Sequence, residues 1–205
     1  MREFKIATNP YDDKKSLYAR TTVKIEPGLT VLCGCNGSGK STLLRLLKDK
    51  LSEDKSIKLL SFDNYRDGGA QWIEKQFWRG NYNAGVSAFS SSEGERISTS
   101  VSYFVSELGS MIRKERPKEI WVLLDAIGSG LSIDGIDEIK DFINFVRGEE
   151  PEIMFYFVVS TNEYEFAEGS DCIDVRTFRH LKFSNYDDYK KFILNSRETK
   201  NKRYE

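Results

Sequence analysis

Two periodicities of apolar and polar positions run along this chain, one typical of strands and one typical of helices. Residues 20–25 alternate and are rich in β-branched side chains, which predicts a strand. Glu-Pro-Gly at 26–28 is typical of a turn, and residues 29–33 form a second apolar run. We expect these two strands to pair as a hairpin.

Helical spacing is clearest in residues 41–51, where apolar side chains occupy positions 43, 44, 46, 47 and 51. The same patterns predict strands at 57–62, 119–124 and 154–159, an edge strand at 172–175, and helices at 93–114, 133–147 and 186–194. This repeated order of strand, loop and helix predicts an α/β fold with helices packed on a sheet.

The length of 205 residues predicts one domain spanning 1–205. Residues 63–91 contain a run rich in Gly, Asn and Ser and form a short insertion. The insertion contains five aromatic residues, which either form a partner-binding surface or pack in the core: Trp72, Phe77, Trp78, Tyr82 and Phe89. The charged stretch 196–205 is expected to be a frayed tail.

Composition narrows the class of protein. Hydrophobic residues make up 39% and charged residues 31%, which favours a folded globular chain, and the net charge is −1. The chain therefore lacks the global positive field that would indicate a nucleic-acid partner, although the net charge does not exclude a local basic patch. The first residues contain no apolar signal core, no eighteen apolar residues run together, and three cysteines lack a CxxC pair. We expect a cytoplasmic protein.

Residues 34–42, Gly-Cys-Asn-Gly-Ser-Gly-Lys-Ser-Thr, match the G-x-x-x-x-G-K-[ST] phosphate-loop pattern between a predicted strand and a predicted helix. The glycines let successive backbone N–H groups approach an anion at the helix N-terminus. Lys40 is expected to hold the β- and γ-phosphates of ATP, and the Ser41 hydroxyl to bind Mg²⁺. The predicted nucleotide contacts in this loop are Asn36, Gly37, Ser38, Gly39, Lys40, Ser41 and Thr42.

A phosphate loop of this kind needs an acidic companion on a neighbouring strand. The apolar run at 120–124 ends in Asp125, which is expected to take Mg²⁺ through water. With both motifs placed, the chain resembles the ABC (ATP-binding cassette) ATPase family over nearly its whole length. The resemblance is closer to the SMC-like and RecF-like branch than to transporter ATPase subunits, and implies a P-loop NTPase fold.

The resemblance also implies a dimer. The family's signature, usually Leu-Ser-Gly-Gly, is partly matched by Ser-Ser-Glu-Gly at 91–94, so Ser92 and Gly94 are expected to contact the γ-phosphate bound to the opposite subunit. Without the family context this stretch is an ordinary helix start. Residues 129–131, Ser-Gly-Leu, match the family's D-loop, which crosses the seam of the dimer.

Three positions depart from the family pattern. Asp63 stands where a glutamine that touches Mg²⁺ and the attacking water is expected, with Asn64 and Gln71 as rivals and a turn as the alternative role. Asn162 replaces the switch histidine and is its expected catalytic substitute beside Lys40 and Asp125. Ala126 replaces the glutamate that orients the attacking water, either by natural divergence or by an engineered change.

Loss of a positioned base typically lowers a rate by about 10²–10⁴, so slow or partner-dependent turnover is expected with ATP binding preserved. Glu163 is a poor replacement if its segment stays extended, because the next side chain along a strand points the other way; Asp134 is another candidate. The adenine-stacking residue is Tyr18 or Tyr11.

The sequence predicts an ATP-dependent homodimer that gates a protein partner such as a nuclease, repair or defence factor. A non-hydrolysing ATP-sensing switch is the alternative. A transporter subunit is disfavoured by the short insertion at 63–91.

Overall fold

In the computed structural model of the protein, residues 1–11, 15–67 and 93–204 are described. The strands are β1 Arg2–Lys5, β2 Thr22–Ile25, β3 Gly28–Cys33, β4 Lys58–Asp63, β5 Glu119–Asp125, β6 Met154–Ser160, β7 Asp171–Asp174 and β8 His180–Leu181. The helices are α1 Lys40–Ser52, α2 Asn64–Asp67, α3 Glu93–Glu115, α4 Ile133–Glu149, α5 Tyr164–Ala167 and α6 Tyr186–Tyr204.

A six-stranded sheet with the order β4-β5-β6-β3-β7-β8 forms the centre of the fold. Its first five strands are parallel, and only β8 runs antiparallel to its neighbour. Parallel strands buried on both faces read as continuous apolar runs, which is how β5 and β6 appear in the sequence. The predicted α/β architecture is confirmed.

Two apolar clusters cover the two faces of this sheet. Alternate residues of β5 separate cleanly, because Ile120, Val122 and Leu124 lie in one cluster and Trp121 and Leu123 in the other. The first cluster includes side chains of α3, α4 and α6, and the second includes α1 and the β1–β2 ribbon. The sheet therefore lies between two layers.

The predicted hairpin between residues 20–25 and 29–33 was wrong. Strand β2 pairs with β1 in a separate antiparallel ribbon, whereas β3 lies between β6 and β7 in the main sheet. Both edges of β3 are occupied by parallel partners, so no edge remains for β2. The short N-terminal strand β1 was not recognised from the sequence.

Two smaller differences concern the C-terminal part. Strand β7 was expected at a sheet edge, but β8 pairs with it and takes the edge position. Helix α6 extends to Tyr204, so residues 196–204 are helical where a frayed tail was expected. Among the helices of the described residues, none has the length and apolar character that a bilayer crossing requires.

The packing of α1 yields a stability prediction. Leu47 is fully buried against the sheet, whereas its neighbour Leu46 is only partly buried. Leu47→Ala is expected to lower the free energy of unfolding by about 2–5 kcal/mol, because apolar burial is lost and a cavity remains. Leu46→Ala, the same change one position away, is expected to cost clearly less in urea denaturation. Equal losses would contradict this orientation of the helix.

Candidate active site

The candidate site lies at the carboxyl ends of the parallel strands. Asp63, Asp125 and Ser160 end β4, β5 and β6 and occupy the same register across the three strands. Strand β3 ends beside them and continues through residues 34–39 into α1. The common edge opens on a cleft of about 880 Å³. Ligands of open parallel sheets bind in such crevices.

Lys40 is the residue around which the phosphate loop closes. Its Nζ donates to the carbonyl oxygens of Gly34 at 2.6 Å and Cys35 at 3.2 Å, and to Asn162 Oδ1 at 2.9 Å. The side chain is only 8% exposed, and burial lowers the pKa of its ammonium. Three acceptors match the three hydrogens of the ammonium, which compensates its removal from water.

Glycines let this loop fold tightly. Gly39 has φ +104°, and a Cβ built there would lie 2.9 Å from Cδ2 of Leu17. At Gly34 a Cβ would lie 2.5 Å from the Oγ of Ser38, a buried hydroxyl that has no hydrogen-bond partner among the described residues. A larger residue at either position would displace the loop. The orphaned Ser38 hydroxyl fits a loop that binds an oxyanion.

Ser41 and Asp125 form the predicted metal-binding pair. The Ser41 Oγ donates to Asp125 Oδ1 at 3.0 Å and joins two residues that are 84 positions apart. Within the described residues no group of three His, Cys, Asp or Glu side chains forms a metal cluster. One carboxylate and one hydroxyl suit Mg²⁺, which usually keeps several waters and shares its remaining positions with substrate phosphates. The donor set therefore fits the predicted ion.

The residues weighed at the end of β4 have different roles. Asp63 lines a groove with Ser41 and Asp125, and its Oδ1 accepts the Tyr65 amide hydrogen at the start of α2. Asn64 is buried, and its Nδ2 donates to the carbonyl of Ser129 at 2.8 Å. Asp63 thus combines a role in the turn with a position beside Ser41 and Asp125, the predicted metal-binding pair. Gln71 lies outside the described residues.

Asn162 faces the phosphate loop, as expected for the residue at the switch position. Its Oδ1 accepts from Lys40, and its Nδ2 donates to Asn36 Oδ1 at 2.5 Å. The one histidine of the chain lies elsewhere, because His180 on β8 pairs with Asp171 at 2.8 Å. The end of β6 is thereby connected to the loop that follows β3.

Ala126 follows Asp125 in the left-handed backbone region, with φ +54°, and lines the cleft. Glu163 was expected to be a poor replacement only if its segment stayed extended, and it lines the same cleft as Asn162. The chain bends there as α5 begins, and the Glu163 amide donates to Thr161 Oγ1 at 3.1 Å. Asp134 lies on α4 beside a separate groove, so it does not face the cleft.

The Glu163 carboxyl occupies a partly buried position. Burial raises its pKa above the ordinary 4.5, and the charge of Glu165 adds to the increase. The side chain packs over Gly128, where a Cβ would lie 2.7 Å from the Glu163 Cγ. A carboxylate with a raised pKa beside a phosphate-binding loop is a candidate for orienting water.

The two tyrosines proposed for adenine stacking differ sharply in exposure. Tyr18 is 1% exposed, its hydroxyl donates to the Gly39 carbonyl at 2.8 Å, and its ring contacts Phe178. Tyr18 therefore packs against the phosphate loop, and its buried ring has no exposed face on which adenine could stack. Tyr11 is 53% exposed, lines the cleft, and its hydroxyl lies 2.9 Å from Thr42 Oγ1. Only Tyr11 offers an open ring.

The signature and D-loop positions are partly described. Ser92 lies outside the described residues, and Gly94 is in the first turn of α3. Ser129 lines the cleft beside Ala126 and accepts a hydrogen bond from Asn64 through its carbonyl oxygen. Ser129 therefore joins the site within one chain, whereas the roles expected for Ser92 and Gly94 remain predictions.

Sequence reasoning missed helix α6 as a neighbour of the phosphate loop. Ser196 and Lys200 contact Cys35 and Asn36, and Arg203 lines the cleft. No local pattern indicates these contacts, because more than 160 residues separate the partners. From its charged residues, the C-terminal stretch 196–205 was predicted only to be a frayed tail.

Solved structures show which fold this is. The dimeric structure of a post-hydrolysis state of the ATP-binding cassette MJ0796 bound to ADP and Pi aligns with 90% of this chain and 99% of that chain, with 13% identity and a TM-score of 0.54. CbiO1 from Clostridium perfringens, part of the ABC transporter complex cbiONQ, aligns with 87% of this chain and 86% of that chain, with 15% identity and a TM-score of 0.52.

Stu0660 of Streptococcus thermophilus is a third similar structure, with 10% identity, a TM-score of 0.52, and coverage of 91% of this chain and 77% of that chain. No model of a protein family matches the chain, and no curated protein sequence matches it. The structural likeness establishes an ATP-binding cassette fold. The expected fold class is thus confirmed at very low sequence identity.

The raised pKa of Glu163 predicts a pH-dependent effect of Glu163→Gln. The folded state binds the Glu163 proton more tightly than the unfolded chain, so this residue lowers stability as pH rises through its folded pKa, which lies above 4.5. The variant should therefore have a higher free energy of unfolding at neutral pH, and the difference should vanish below pH 4.5. Denaturant unfolding across pH measures both.

Glu152→Gln, an exposed position in the turn before β6, is the control for this measurement and should leave the pH profile unchanged. A Glu163→Gln variant that loses stability at neutral pH would contradict the partly buried position of the carboxyl.

Proposed function

We propose that this protein binds Mg²⁺–ATP in the cleft at the carboxyl ends of its strands and acts as a minimal ABC-type ATPase. The observation that carries the proposal is the closed constellation of Lys40, Ser41, Asp125 and Asn162 around the phosphate loop. Lysine and loop amides suit the β- and γ-phosphates, and the hydroxyl–carboxylate pair suits the metal.

Mg²⁺ would be held by Ser41 and Asp125, with Asp63 beside them, and would neutralise charge on the phosphates. Asn162 positions the Lys40 ammonium from the end of β6 and connects it to Asn36. The exposed ring of Tyr11 is the proposed surface on which the adenine of ATP stacks. Tyr11 is already held next to the loop by its contact with Thr42 and by Arg45 over its ring.

Hydrolysis is proposed to be slow or partner-dependent. Ala126 places a methyl group at the position where the family that the chain resembles has a glutamate that orients water. In this chain the cleft carboxylate with a raised pKa is Glu163, which approaches from the end of β6 and not from β5. A base that approaches from a different strand orients water differently, so we expect it to compensate only in part.

ATP is proposed to bring two copies together, with Ser92 and Gly94 of each copy completing the site of the other and residues 129–131 at the seam. The similarity to a dimeric cassette supports this arrangement. Closure would then gate a protein partner such as a nuclease, repair or defence factor in the cytoplasm. The short insertion at 63–91 supports a minimal, stand-alone form of the family.

A second candidate is an ATP-sensing switch that dimerises and does not hydrolyse. Ala126 favours it, because the side chain that follows Asp125 carries no polar group. The two candidates share the nucleotide site and differ only in phosphate release.

Lys40→Ala is expected to weaken ATP binding by at least about tenfold to a hundredfold, because charge-assisted hydrogen bonds contribute roughly 1.5–3 kcal/mol. Calorimetric titration with Mg²⁺–ATP measures this affinity. Lys50→Ala, an exposed lysine in the last turn of the same helix, is the matched control and should bind ATP normally. Retention of full affinity by the Lys40 variant would exclude this loop as the phosphate site.

Ala126→Glu is expected to raise the rate of ATP hydrolysis by about 10²–10⁴. Ala126 already carries a Cβ at φ +54°, so the larger side chain adds no new constraint on the backbone at that residue. Phosphate release measured beside light scattering reports turnover and dimerisation on one sample. Ala126→Gln, which has no basic carboxylate, is the control.

An ATP-dependent dimer with little phosphate release in the unmodified protein supports the proposal. Brisk phosphate release from the unmodified protein would show that hydrolysis is neither slow nor missing a base. Glu163→Gln would then reveal whether that carboxylate supplies it.

A further inference from the structure

One face of helix α6 follows the phosphate loop over about two turns. Ser196, Lys200 and Arg203 stand four and three residues apart, a spacing that places side chains on the same face of a helix. The Ser196 Oγ accepts the amide hydrogen of Cys35 at 3.1 Å. The Lys200 Nζ donates to the carbonyl oxygen of Asn36, also at 3.1 Å. The helix is therefore anchored to the first half of the loop.

Lys200 covers the loop at Gly37. A Cβ built on Gly37 would lie 3.6 Å from the Lys200 Nζ and 3.7 Å from its Cδ. One ammonium hydrogen goes to the Asn36 carbonyl, and an ammonium has three donors. The remaining donors are available to an oxyanion on the loop.

Arg203 lies one turn further and lines the cleft together with Lys40. Its guanidinium forms no hydrogen bond or ion pair with another residue in the described part of the chain. A guanidinium presents five N–H donors in a planar fork that matches phosphate oxygens. An arginine that has no such partner among the described residues and lies beside a phosphate loop is suited to bind a polyanion.

The charge of the cleft points the same way. Among the described residues that line it, the cations are Lys15, Lys40 and Arg203, and the carboxylate is Glu163. Asp125 opens on the adjoining groove with Ser41. This imbalance attracts an anion with several charges.

A purely local role for these basic residues makes a different prediction. Lys202 and Arg203 stand in the last turn of α6, where positive charge stabilises the helix dipole. That role requires no particular direction of the side chain. Lys202 is exposed to solvent, however, whereas Lys200 and Arg203 face the loop and the cleft.

We propose that α6 is an additional part of the nucleotide site, in which Lys200 and Arg203 bind the polyphosphate of the nucleotide held by the phosphate loop. The proposal rests on the proposed function and adds two phosphate-binding residues from the opposite end of the chain. Ser196 anchors the helix and makes no contact with the nucleotide.

The test compares Mg²⁺–ATP affinities of Lys200→Gln, Arg203→Gln and the double variant by calorimetry at two salt concentrations. Glutamine keeps an N–H donor for the Asn36 carbonyl while removing the charge, which protects the fold. Each single change is expected to weaken ATP binding about tenfold or more, and the double change further. The salt dependence of binding should become shallower, because fewer charges meet the phosphates.

Lys202→Gln is the matched control, since it removes the same charge from the same helical turn and should leave affinity and salt dependence unchanged. Arg203→Lys keeps the charge without the planar fork and should restore part of the affinity lost in Arg203→Gln. Urea unfolding of each variant identifies any loss of folded protein before binding is compared.

Unchanged affinity in the double variant, or an equal loss in Lys202→Gln, would overturn the proposal. Tighter ATP binding in the double variant would overturn it as well, because α6 would then obstruct the cleft. In each of these cases the wild type still binds ATP and Lys40→Ala still binds it more weakly, so the proposed function stands. Failure of the wild type to bind ATP would defeat both.

Discussion

The structure of the site depends on the burial of one positive charge. The Lys40 ammonium lies inside the phosphate loop, where two loop carbonyls and the Asn162 side chain accept its hydrogens. A buried ammonium without such acceptors would cost several kcal/mol. Because the acceptors come from the end of β3 and from the segment after β6, this requirement connects two strand ends to α1. Ser41, next along the chain, is thereby brought to Asp125 on β5.

In the proposed function, the residues that bind the nucleotide differ from those that would support its hydrolysis. The residues proposed to hold phosphate and metal interact with one another, as Lys40 does with Asn162 and Ser41 with Asp125. The position that the resembling family uses for its base holds only the methyl group of Ala126. Glu163 carries a carboxyl with a raised pKa into the same cleft, but from the neighbouring strand. In the proposed function, one set of residues therefore binds the nucleotide and another controls turnover.

Helix α6 connects the C-terminal part of the chain to the phosphate loop. It packs on the sheet through Tyr189, a member of the core cluster, and reaches the loop through Ser196 and Lys200. Since both contacts are to backbone atoms of the loop, they depend on the path of the loop and on no particular side chain in it. The C-terminal residues are therefore positioned by the fold of residues 34–37.

The sequence by itself determined the features that are local in the chain. The phosphate loop, the acidic end of β5 and the buried runs of β5 and β6 each follow from neighbouring residues, because glycine spacing and apolar periodicity act over a few positions. The tertiary structure alone decided the pairing of β2 with β1, the exposure of Tyr11 and burial of Tyr18, and the placement of Glu163 in the cleft. It also decided the contact of α6 with the loop, 161 residues away along the chain. These outcomes result from competition among distant groups for strand edges, burial and hydrogen-bond acceptors, and no short stretch of sequence contains both competitors.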